Sequence, residues 1–169
     1  MFIAHLPAGY LAARNLQRLQ VGRLSFAALL LGSVFPDIDM LYFYTIGQTQ
    51  IHHHRYITHI PAYYLAAGLA GWAALVLLKQ KRFIRPLGFF IAGIMLHLAL
   101  DSVVGWIYWL KPLSDARIGG QIFVAAKYDW WIWNFVFHWT MLIELTIVAF
   151  AAVTFIADRR RAHPQEKRF

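Results

Sequence analysis

Along this chain the apolar positions run on in long blocks, at about 24–46, 60–78, 87–110 and 131–157, with polar residues gathered between them. A helix needs roughly 17 to 25 predominantly apolar residues to cross a bilayer, so each block predicts a transmembrane helix. Residues 1–19 form a weaker fifth segment, apolar at its start and carrying Arg14 and Arg18 near its end, which is expected to span, re-enter or lie flat. The fold class that follows is all-α, an integral membrane bundle of four or five transmembrane helices. It forms a single domain over 1–161, followed by a basic cytoplasmic tail at 162–169.

Composition supports the bilayer as solvent. With 60% hydrophobic and only 14% charged residues in 169 positions, a soluble domain is a poor fit. The net charge of +8 raises the question of nucleic acid, but the basic residues are grouped between apolar blocks and do not form a solvated face, so no nucleic-acid partner is expected. Arg14, Arg18 and Arg23 make one group, Lys79, Lys81, Arg82 and Arg85 a second, and Arg159, Arg160, Arg161, Lys167 and Arg168 a third. Placed in the cytoplasm, as the positive-inside rule favours, these groups let the four strong spans alternate without conflict. Loops 47–59 and 111–130 then face outward and the C-terminus faces in. Six of the seven Trp fall between 106 and 139, where an interfacial belt accounts for most of them. The N-terminal segment lacks the charge and cleavage pattern of a removable signal peptide. There is no cysteine, so any metal must be held by His, Asp or Glu.

Polar residues inside the apolar blocks carry the functional signal. Four of the eight acids, Asp37, Asp39, Asp101 and Glu144, fall where a carboxylate is costly unless paired or solvated. At about 1.5 Å of rise per residue from the nearest cytoplasmic marker, Asp37 lies about 21 Å from Arg23 and His5 about 20 Å from Arg18. Asp101 lies about 22 Å from Pro86 and Glu144 about 22 Å from Arg159, with His97 one turn nearer the cytoplasm. Four segments thus bring polar groups to one level in the outer half of the membrane, beside the loop HHHRYITH at 52–59. His97 and Asp101 are at i and i+4, on one helix face. Pro36 disfavours the α conformation at Phe35 and loosens the helix there, which helps Asp37 and Asp39 turn to a shared point. His138 and His163 have no stronger claim than packing or solvation, and His52 and His53 read as solvated loop residues beside His54.

Carboxylates and imidazoles without sulfur suit a divalent transition metal, Zn²⁺ first, with Mn²⁺ or Fe²⁺ as alternatives, and more than four candidate ligands allow more than one ion. Such a centre activates water and stabilises charge on a phosphoryl oxygen, which points to phosphoester hydrolysis, with a lipid as one candidate substrate. Arg55 could grip a phosphate as a fork. Other readings stay open: a haem carrier with His97 and His138 as axial ligands, a non-enzymatic regulator or scaffold with a structural metal, or an ion path. Oligomeric state carries no signal.

The motifs FPDID at 35–39, HRYITH at 54–59 and HLALD at 97–101 resemble, in order and spacing, the membrane-bound metal-dependent hydrolases of the YdjM type, also described as LexA-binding and inner membrane-associated. WLKPLSDAR at 109–117 is similar to that family's Trp-Pro-Ser-Asp loop, while Tyr56, Ile57 and Ile60 stand where the family has Gly, an aromatic and Ser. The ligand order is more distantly similar to zinc-dependent phospholipase C and the P1-type nucleases, helical enzymes with three zinc ions. The resemblance implies one to three ions held by His5, Asp37 or Asp39, His59, His97 and Asp101. Beside them, His54 and Arg55 would position substrate or add a ligand, and Glu144 would serve as base or further ligand.

Overall fold

The computed structural model describes residues 1, 3–16, 21–46, 53–120, 122 and 124–162, and these are mostly helical. Seven α-helices follow one another: α1 (His5–Leu16), α2 (Arg23–Gly32), α3 (Asp39–Thr45), α4 (Pro61–Leu77), α5 (Ile84–Val104), α6 (Trp131–Val136) and α7 (Thr140–Ala162). The residues at 106–110, expected to continue the third block as helix, do not. Gly105 ends α5 in an extended conformation, and strand β1 (Trp106–Ile107) pairs antiparallel with β2 (Ile118–Gly119). The fourth block is also divided, because the chain leaves the helix at Phe137 and re-enters it at Thr140. The expected basic tail lies outside the described residues from 163 onward.

The first block is broken where Pro36 predicts it. Phe35–Ile38 forms a 3-10 turn with Pro36 near its start, and the two helical halves, Arg23–Gly32 and Phe35–Thr45, meet at 55°. Proline removes a backbone donor and keeps the residue before it out of the α region, so the bend has a local cause. Two helices are long and apolar enough to cross a membrane alone, Lys81–Val104 and Thr140–Arg161, and the bent pair makes a third if it counts as one span. Helix α4, at 17 residues, is shorter, and α1, at 12 residues, spans only about 18 Å. The expectation of a helical membrane protein holds, while the count of four or five spans reaches only two or three among the described helices.

Direction follows from the contacts. Leu29 meets Gly93 and Ser33 meets His97, an advance of four residues on each helix, so α2 and α5 run parallel. Gly68 meets Ile91 and Gly71 meets Leu87, which sets α4 antiparallel to α5. Helix α1 runs against α2, with Gly9 at Ser33 and Tyr10 at Phe26, and alongside α7, with Ala4 at Glu144 and Arg14 at Asp158. One end of the bundle therefore collects the ends of α2 and α5 and the starts of α1, α4 and α7. A Cβ on Gly93 would stand 2.3 Å from the Leu29 carbonyl oxygen, and one on Gly32 2.1 Å from that of Phe90. Without side chains there, the two backbones touch, as small residues allow between membrane helices.

The dry core is small: Ile94, Leu98 and Ile107 are fully buried, with Tyr64, Phe90 and Trp109 packed against them. Large apolar side chains instead point outward, among them Leu65, Leu69 and Trp72 on α4 and Leu142, Phe150 and Val153 on α7. Only 28% of the apolar window of Lys81–Val104 and 17% of that of Thr140–Arg161 is buried by protein. Lipid is the environment that suits the remainder.

Candidate metal centre

At the crowded end of the bundle, five segments converge on the Asp101 carboxylate. Asp101 ends the fourth turn after Pro86 in α5 and is 1% exposed. Its Oδ2 lies 3.1 Å from His97 Nε2, 3.6 Å from His59 Nε2 and 3.5 Å from His54 Nε2. Its Oδ1 lies 3.1 Å from His5 Nε2 and also pairs with the terminal ammonium of Met1. From the bend after α2, Asp37 Oδ1 approaches His97 Nε2 to 3.5 Å. One ligand atom from each of Asp37, His59, His97 and Asp101 lies within 4.8 Å of the others, so the group could hold a metal ion.

Hydrogen bonding behind the ligands decides how the imidazoles point. His97 Nδ1 is 2.9 Å from the Ser33 carbonyl, which can only accept, so Nδ1 carries the hydrogen and Nε2 turns a lone pair toward the carboxylates. That carbonyl belongs to the last turn of α2, where the bend frees it from helical pairing. His59 is oriented in the same way: its Nδ1 is 2.9 Å from Asp39 Oδ2, which also accepts from the Thr58 hydroxyl, and its Nε2 faces Asp101. Around His59, burial pulls the pKa down, but the carboxylates of Asp101 and Asp39 on either side outweigh it and raise it to about 9. The ring thus stands ready to carry positive charge.

Lone pairs of nitrogen and carboxylate oxygen facing one another across 3.1–3.6 Å repel unless a cation or proton lies between them. His97 Nε2 and Asp101 Oδ2 are buried without a hydrogen bond. Ligands about 2.1 Å from a tetrahedral zinc ion stand about 3.4 Å apart, the geometry these separations approach. Two imidazoles and two carboxylates would also neutralise a divalent ion, which favours burial. Residues and metal therefore fit.

The other candidate residues are placed as follows. Asp39, grouped with the ligands on sequence grounds, lies against the far nitrogen of His59. His5 stacks on His97, ring centroids 3.8 Å apart, and His54 stacks on His59 at 5.0 Å. A Cβ on Gly105 would stand 2.4 Å from His54 Cε1, so the glycine makes room for that ring. Glu144, expected as base or ligand, accepts from the backbone amides of Ile3 and Ala4 at 2.6 and 3.2 Å, ahead of α1. Arg55 is exposed, and His138 hydrogen-bonds Thr140. His52 lies outside the described residues. Sequence reasoning missed Ser33 and Thr58. Their only signals were the expected helix break next to Ser33 and the adjacency of Thr58 to His59.

Fold and site together define a helical membrane protein with a buried His/Asp cluster able to take a metal ion. A family model described as YdjM inner membrane protein matches residues 1–162, and the chain belongs to that family. Comparison with curated proteins and with solved structures gives no match.

Proposed function

We propose that this protein is a membrane-embedded metal-dependent hydrolase acting on a phosphoester, with a phospholipid-like molecule as substrate. The observation that carries the reading is the four-residue group of Asp37, His59, His97 and Asp101, in which His97 Nε2 and Asp101 Oδ2 are buried without a hydrogen bond. A bound Zn²⁺, or Mn²⁺ or Fe²⁺ in its place, would supply an activated water and stabilise charge on a phosphoryl oxygen. His59, His97, Asp37 and Asp101 hold the ion, while Asp39 and the Ser33 carbonyl keep the two rings aimed at it. His54 and His5, both at the Asp101 carboxylate, supply further nitrogens for a second ion or for a proton. Arg55, exposed beside His54, is the candidate grip on a phosphate.

Elemental analysis of detergent-purified protein tests the metal. Stoichiometric transition metal is expected in the wild type and none in the His97→Ala/Asp101→Ala double variant, and full retention there overturns the assignment. Turnover of bis(p-nitrophenyl) phosphate, abolished in the same variant, tests the hydrolase reading.

One observation favours a second reading, a regulator or scaffold with a structural metal: the group offers four protein ligands, enough to fill a structural zinc site, whereas catalytic zinc keeps a position open. An exchangeable water on the bound metal, seen by substitution with a spectroscopically active ion, separates the two.

A further inference from the structure

Of the four clustered residues, His59 and His97 are 0% exposed and Asp101 1%, whereas the side chain of Asp37 is 36% exposed. The cluster therefore meets its surroundings through Asp37. What Asp37 opens onto is not water-like. It lines a groove of about 520 Å³ together with Leu31, Val34, Phe35, Ile38 and Phe90, so every other wall is apolar. That volume lies in the range of small-molecule sites.

The bend makes this groove. Were α2 to continue straight, Phe35 and Ile38 would stay on its own surface, but the 55° turn swings the following segment aside and leaves a cleft against α5. Phe35 stacks edge-on against Phe90 at 5.2 Å and against Tyr64 at 6.3 Å, which fixes that wall. Leu31 and Ile38 remain 63% and 57% exposed. The groove runs along the bent pair Arg23–Gly32 and Phe35–Thr45, which together are long and apolar enough to cross a membrane, so acyl chains are within its reach.

We infer that this groove seats the acyl chain of a lipid phosphoester, delivering its polar head to Asp37 from within the bilayer. The inference rests on the hydrolase reading for the fate of the head, but chain binding stands apart from turnover. A molecule with a polar head joined to an apolar chain matches a partly exposed carboxylate set among apolar groove walls. A headgroup phosphate reaches the centre when a metal screens Asp37, because charge repulsion otherwise keeps an anion away.

The experiment uses wild-type protein in nanodiscs containing zinc and a small fraction of phosphatidic acid with a photoreactive diazirine in one acyl chain. Illumination and peptide mapping should label Leu31, Val34, Phe35 or Ile38 in preference to Leu65 and Leu69 on α4, which are about as exposed as Leu31 and Ile38. Ile38→Trp and Leu31→Trp fill the groove from exposed positions where folding is tolerant, and each should reduce groove labelling about tenfold while α4 labelling is unchanged. Even labelling of both regions, as general lipid contact produces, overturns the proposal, as does undiminished groove labelling in both Trp variants. If groove labelling behaves as expected but no phosphoester is hydrolysed, the hydrolase reading fails and the lipid site remains. If bis(p-nitrophenyl) phosphate is hydrolysed but labelling is even, the lipid site fails and the hydrolase reading remains.

Discussion

The two ends of the bundle both join α1 to α7 through ionisable groups, and they do so in opposite ways. At one end Arg14 grips Asp158 with two nitrogens, at 2.7 and 3.0 Å, and Tyr10 adds a hydroxyl at 3.0 Å. These side chains are about a third exposed and matched in charge, which suits a clamp. At the other end Glu144 and Asp101 are each 1% exposed, and the Asp101 carboxylate is surrounded by four imidazoles and the Met1 ammonium, with His97 Nε2 facing its Oδ2 at 3.1 Å without a hydrogen bond. The first arrangement is complete as it stands. The second gathers more nitrogen and carboxylate ligands than a salt bridge uses and could hold a metal ion, and that difference separates a structural contact from a candidate site.

The largest expected effect comes from Asp101→Ala, which leaves His5, His54, His59 and His97 without their shared partner. Loss of bound metal and destabilisation by about 3–5 kcal/mol are expected, measured by elemental analysis and thermal denaturation in detergent. Asp39→Ala frees His59 to rotate and should weaken zinc binding by roughly 10- to 100-fold in a chelator competition, while Asp39→Asn, which keeps an acceptor, should do less. Glu144→Ala removes the acceptor for two backbone amides, that of Ala4 buried, and should cost about 1–3 kcal/mol with metal largely retained; rescue by Glu144→Gln would mark it as an anchor of α1. Complete loss of metal in Glu144→Ala with an intact melting profile would instead make it a ligand.

Acidity sharpens the contrast between the ends. Because the His59 pKa is raised to about 9, its ring is protonated at neutral pH and a metal must displace that proton. Zinc affinity should therefore fall on the order of tenfold per unit as the pH drops below 9. An affinity that does not change between pH 8 and pH 6 would remove His59 from the ligand set. The smallest effect is expected from Arg14→Ala: metal content and its pH dependence should match the wild type, and a variant that loses metal would erase the distinction drawn between the two ends.

Much of the site was legible because rare polar residues stand out in an apolar chain. Asp37, Asp39, His97 and Asp101 stood out as candidates by their company and depth and His59 by its motif, and the proline break was readable from Pro36, since it acts within a few residues. Other assignments depended on orientation. Asp37 and Asp39 are equivalent in the sequence, yet one faces His97 and the other lies behind His59. Glu144 stands at the expected depth, and orientation turns it to the backbone amides of Ile3 and Ala4 ahead of α1.

Composition and spacing by themselves determined a basic, cysteine-free helical membrane protein with its acids and histidines gathered toward one level, because transfer into lipid selects residue type at each position. Tertiary structure decided which groups touch. The bend after α2 and the backbone contact at Gly32 and Gly93 set the direction of each side chain, and these depend on segments far apart in the chain packing against one another. Depth is a property of one helix, whereas coordination geometry belongs to several at once.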